Sequence, residues 1–75
     1  MMDMEDKVLL LAIFKKEKDE SLNDTLFVLE NAGVFTLKEG KRRLKELKKS
    51  SLIVGENLSL EGIEKAKLIE QEFKI

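Results

Sequence analysis

The sequence predicts a mainly α-helical domain that carries one small β-hairpin, in the order helix, helix, helix, hairpin, helix. Three observations predict it. Apolar residues recur at helical spacing in four stretches, from Met4 to about Lys18, Ser21 to about Asn31, Thr36 to about residue 50, and Ser59 or Leu60 to about Phe73. Between the third and fourth lie the β-branched run Leu52-Ile53-Val54, the turn residues Gly55-Glu56-Asn57 and the alternating Leu58-Ser59-Leu60. With 75 residues, 43% hydrophobic and 39% charged, the chain has enough apolar side chains for one core and no room for a second.

In the first stretch, Val8, Leu9, Leu11, Ala12 and Phe14 wrap a wide helical face. The unbroken run Val8 to Phe14 could also serve as a buried strand, but no Gly or Pro bounds it and helix formers flank it. Asp3, Glu5 and Asp6 at its start and Lys15, Lys16 and Lys18 at its end complement a helix dipole. Ser21 is a candidate N-cap for the second helix, with Asp24 three residues on. Leu22, Leu26, Leu29 and either Thr25 or Phe27 supply its inner face, although Phe27-Val28-Leu29 is β-prone. Asn31-Ala32-Gly33 then offers a residue that tolerates the left-handed conformation ending a helix.

Thr36-Leu37-Lys38-Glu39 reads as a capping box, Thr36 serving the amide of Glu39 and Glu39 reaching back to the amide of Thr36. Leu37, Gly40, Leu44 and Leu47 share one face of this third helix, and Lys38, Arg42, Lys45 and Lys49 lie opposite. The last helix has Ile63, Ala66, Ile69 or Glu70, and Phe73 along one stripe, with Leu68 and Ile75 off or beyond it as core or self-association residues. Gly62 near its start costs about 1 kcal/mol of helix propensity relative to alanine.

Composition excludes most chemistry. The chain has no Cys, His, Trp or Tyr, so it carries no disulfide, thiol nucleophile, imidazole base or nitrogen or sulfur metal ligand. Ser21, Ser50, Ser51 and Ser59 would have to act as nucleophiles without a histidine, and an enzyme is not expected. Neither Asp3, Glu5 and Asp6 nor Asp19, Glu20 and Asp24 has the spacing of a calcium loop, and no cofactor or metal is expected. The longest apolar run has seven residues, against roughly 20 for a membrane span, and acids precede it where a signal peptide is basic. Cytoplasmic localisation and no membrane partner are the expectation.

Two stretches resemble the winged-helix family of transcriptional regulators, in particular the small MarR-like and PadR-like domains. Leu44-Lys45-Glu46-Leu47-Lys48-Lys49-Ser50-Ser51-Leu52-Ile53 is similar to a recognition helix running into the first wing strand, with serine where that pattern usually has glycine. Leu58-Ser59-Leu60-Glu61-Gly62-Ile63-Glu64-Lys65-Ala66 is similar to the second wing strand and the helix after it. The resemblance implies that residues 1–75 form one winged-helix domain whose third helix, residues 36–50, enters the major groove of double-stranded DNA.

Charge placement agrees, since the net charge of −1 conceals three unlike segments. Residues 1–35 carry 4 basic and 8 acidic side chains, residues 36–51 carry 7 and 2, and residues 52–75 carry 3 and 5. The third helix alone is cationic. Arg42 is the candidate base reader because a guanidinium can grip guanine with two hydrogen bonds, with Lys38 and Lys41 placed for base edges in the first turns. Lys45, Lys48 and Lys49 are the candidate phosphate contacts, and Arg43, beside the core face, suits an internal ion pair. The same residues would also suit an ordinary solvated helix face, with Lys38 and Arg42 repelling and Glu39 and Arg43 attracting. Glu56 in the turn of the wing and the acidic remainder oppose DNA contact, which dimerisation through the first or last helix would offset. The competing expectation is a winged-helix protein-docking module within a larger assembly.

Overall fold

The structure, a computed structural model, describes residues 3–74. Its elements follow the expected order: α1 (Met4–Lys15), α2 (Leu22–Asn31), α3 (Leu37–Lys49), β1 (Ile53–Val54), β2 (Asn57–Leu58) and α4 (Leu60–Phe73). The positions of Met1, Met2 and Ile75 lie outside the described residues, and with Ile75 goes one of the two residues assigned to core or self-association.

α1 is the central element, packed against α2, α3, α4 and β2. Its deepest residues are Leu9, Leu10 and Ile13, with Val8, Leu11, Ala12 and Phe14 partly covered. The expected inner face was therefore misplaced by part of a turn, because a helix apolar nearly all round shows no single stripe. α1 also ends at Lys15 rather than near Lys18. The Glu20 carboxylate accepts from the amide of Glu17 at 2.8 Å, the amide of Glu20 donates to the Glu17 carbonyl, and the Lys16 ammonium donates to the Glu20 carbonyl. These local bonds offer the backbone a closed turn in place of another helical turn.

Ser21 and Asp24 form a complete capping box at the start of α2, each side chain accepting from the other's amide. Thr25, not Phe27, takes the inward position, its hydroxyl donating to the Ser21 carbonyl. The β-prone Phe27 and Val28 are helical and exposed. α2 ends in a Schellman motif, with Gly33 at φ +79° and the amides of Gly33 and Val34 returning to the carbonyls of Glu30 and Leu29.

α3 ends in the same motif without a glycine. Ser51 stands at φ +62°, and the amides of Ser51 and Leu52 reach the carbonyls of Lys48 and Leu47 at 3.1 Å each. Leu52 is thus a capping residue rather than a strand residue. The hairpin pairs Ile53 with Leu58 and Val54 with Asn57, so Asn57 belongs to a strand and the turn has two residues. Gly55 opens it at φ +62°, as a hairpin turn with glycine first requires.

Ser59 caps α4 and fixes it to the end of α3. Its hydroxyl donates to the Ser51 carbonyl at 2.6 Å and accepts from the amide of Gly62 at 3.1 Å, and its own amide donates to the Leu52 carbonyl. Gly62 is buried on that junction. A Cβ there would stand 3.1 Å from the Leu52 carbonyl carbon, 3.2 Å from the Leu58 Cβ and closer still to the Leu52 carbonyl oxygen. Ala66 and Ile69 continue the buried stripe of α4, Ile63 and Glu70 are half-buried, and Phe73 and Leu68 are exposed. Among the described residues no helix is long and apolar enough to cross a membrane.

Candidate nucleic-acid interface

The core anchors one side of α3. Gly40, Leu44 and Leu47 are buried and Leu37 is half-buried, and the side chains of Phe35 and Leu26 occupy the space a Cβ at Gly40 would need. At about 100° per residue, Lys38, Lys41, Arg42, Lys45, Lys48 and Lys49 then fall within an arc of about 120° on the other side. All six are exposed. Among the described residues, none of the five lysines forms an ion pair or a side-chain hydrogen bond. No large hydrophobic side chain of α3 is exposed.

The two arginines behave differently. Arg43 is nearly enclosed, and its guanidinium meets Asp3 at 2.8 Å, Asp6 at 2.9 Å, Glu5 at 3.1 Å and Glu39 at 3.2 Å. The internal ion pair expected of it is present, with partners on α1 and at its N-cap as well as on α3 itself. Donating hydrogen bonds to the carboxylates of Asp3 and Asp6 raises the arginine further above its already high pKa. The amide of Asp6, followed by Arg43, holds the Asp3 carboxyl below its ordinary range. The N-terminal acids therefore secure α1 to α3 besides facing the helix dipole. No cluster of acidic residues among those described is arranged to hold a metal ion.

Arg42 is exposed but not free. Its guanidinium is held by the Glu39 carboxylate and lies 3.6 Å from Glu46. The hydrogen bond from Arg42 is the main cause that lowers the Glu39 pKa, and the same bond raises that of Arg42. Glu39 is thereby drawn away from the capping role expected of it. Thr36 still accepts from the Glu39 amide at 3.2 Å, but the first amide of α3, that of Leu37, is served by Glu30 of α2 at 2.7 Å. The i,i+3 and i,i+4 spacing of Glu39 and Glu46 to Arg42 was a readable signal for these pairs. Nothing in the sequence pointed from Arg43 to Asp3 or Asp6, 40 and 37 residues away.

The site is therefore a lysine face, bordered on one flank by Glu39, Glu46 and the acidic start of α1. Lysine ammonium groups are hydrated, mobile point charges suited to phosphate oxygens, whereas the planar fork of arginine can also grip guanine with two hydrogen bonds. Comparison with protein-family models, with characterised proteins and with solved structures returned no match.

Proposed function

We propose that this chain is a winged-helix DNA-binding domain that lays α3 on double-stranded DNA and serves as a small transcriptional regulator. The observation that carries the reading is the row of five exposed lysines on α3 that have no acidic partner among the described residues. Such a face is repulsive to itself and is relieved by phosphates, with release of counterions. A protein-docking face would instead present apolar anchors, and α3 exposes none. The order of helices and hairpin supports the fold assignment. So do the left-handed Ser51, at the position where the resembled pattern has glycine, and the close packing of Gly62.

Lys45, Lys48 and Lys49 contact phosphates in this reading, and Lys38 and Lys41 approach base edges from the first turns. Arg42 reads a base only by exchanging Glu39 and Glu46 for guanine, so sequence preference is modest. Competition between duplexes of different sequence tests the division of roles. Arg42→Ala is expected to relax preference, while Lys45→Ala lowers affinity about equally for every duplex. Equal, unselective losses in both would reduce Arg42 to a phosphate contact.

One α3 covers few base pairs, and the reading includes a homodimer. Its seam falls on the outer face of α4, where Leu60 is 82% and Leu68 63% exposed, because α1 spends its apolar surface inside the molecule. That same face favours the second reading, a docking module for another protein. Sedimentation equilibrium separates them: the homodimer requires reversible association at micromolar concentration that Leu68→Lys abolishes, and a strict monomer leaves α4 to a different partner.

A further inference from the structure

Beside the end of α1, with no lysine of α3 in its lining, lies an open groove of about 370 Å³ lined by apolar residues, Asn57 and two lysines. Ile13 and Phe14 of α1, Leu58 of β2 and Ile63 of α4 line it. The volume falls at the lower end of small-ligand sites, which are typically about 300–1,000 Å³. Its cations, Lys16 and Lys18, both enter from the segment that follows α1. Among the described residues no carboxylate lines the groove, although the first 35 residues carry 8 acidic side chains against 4 basic ones. Glu20, on the same segment, accepts from the amide of Glu17, and the Lys16 ammonium donates to the Glu20 carbonyl. Among the described residues, neither Lys16 nor Lys18 has an ion-pair partner.

We infer that this groove binds a medium-chain aliphatic carboxylate, its chain along Phe14, Leu58 and Ile63 and its headgroup at Lys16 and Lys18. Apolar walls without a cation would take any oil, and lysines without walls would take any anion. The combination selects a molecule that has both parts, since each part alone leaves either the apolar walls or the ammonium groups uncovered. The side-chain amide of Asn57, at the same groove, offers a further donor for the headgroup. Leu58 faces Ile53 across the hairpin, so an occupied groove also braces the two short strands. This inference does not depend on DNA binding by α3.

The experiment is an amide ¹H–¹⁵N titration of the full chain with octanoate, with octanol as the uncharged probe and acetate as the chainless one. Octanoate is expected to give saturable shifts at Ile13, Phe14, Leu58 and Ile63 with a Kd of about 1 mM or tighter. Octanol and acetate are expected to bind at least about tenfold more weakly, a difference of about 1.4 kcal/mol. Lys18→Glu, at an exposed position without partners, is expected to stay folded and to lose octanoate by a similar factor. Shifts confined to the lysines of α3, equal binding of octanol, or no saturable shift would each overturn the assignment.

Discussion

Replacing Gly62 by alanine sets two physical arguments against each other. From helix propensity alone, the change stabilises α4 by about 1 kcal/mol. The structure demands the opposite sign. The new methyl would stand 3.1 Å from the Leu52 carbonyl carbon and 3.2 Å from the Leu58 Cβ, inside the 3.5–4.0 Å of an ordinary contact. The nearest obstacle is backbone, and that carbonyl also accepts from the Ser59 amide at 2.9 Å, so it cannot swing aside without losing a bond. Overpacking of a core costs about 1–3 kcal/mol, and a rigid obstacle belongs at the upper end. After the propensity gain, Gly62→Ala is expected to lose about 2 kcal/mol, out of a total of about 4–11 kcal/mol for a domain of this length. Thermal unfolding followed by circular dichroism should then show Tm lowered by about 8–16 °C. Lys65→Ala, on the exposed side of the same helix, should stay within about 0.5 kcal/mol of the parent. A Gly62→Ala protein that melts at or above the parent temperature would refute the packing argument.

Ser51→Gly should stabilise the domain by about 1 kcal/mol in urea unfolding, because the left-handed φ of +62° strains any residue with a Cβ; an unchanged midpoint would refute this. Leu44→Ala, truncating a buried leucine, should cost about 2–5 kcal/mol by the same measurement, whereas the exposed Arg42→Ala should leave folding nearly intact. Asp3, Glu39 and Glu70 are all held below their ordinary pKa, Glu70 mainly by Lys15, so their contribution is full above about pH 5. It is lost as pH falls through the lowered values. Tm is expected to drop below about pH 5, and Arg43→Met should shrink mainly the Asp3 part of that drop while leaving the Glu70 part.

Local chemistry was the most legible part of the fold. Ser21, Thr36 and Gly33 announced helix ends within a residue, since caps are written in neighbouring side chains. The alternation around Gly55 located the hairpin, although its two-residue turn placed Asn57 in a strand. α1 was least legible in its facing, because four neighbours bury it from several sides and periodicity then carries no direction. The lysine face could be read directly from α3, where charged and apolar residues separate cleanly. The cage around Arg43 could not, since it is assembled by packing α1 on α3 and has no local spacing. Glu39 shows both limits. Its sequence position suited a cap, but two arginines on the finished helix compete for it and win.

If the lysines of α3 meet DNA phosphates, as proposed, duplex binding must weaken steeply as salt rises. Each phosphate neutralised on duplex DNA contributes a slope of about −0.9 in log affinity against log salt. Five lysines set a limit of about −4.5, or a loss of about 500-fold between roughly 50 and 200 mM salt. Fluorescence anisotropy with a labelled duplex should give a slope between about −2.7, from Lys45, Lys48 and Lys49 alone, and about −4.5, and Lys45→Ala or Lys49→Ala should each reduce it by about 0.9. A folded protein that fails to bind duplex at the lowest salt, or binds with a slope indifferent to those substitutions, would rule out DNA phosphates as the partners of this lysine face.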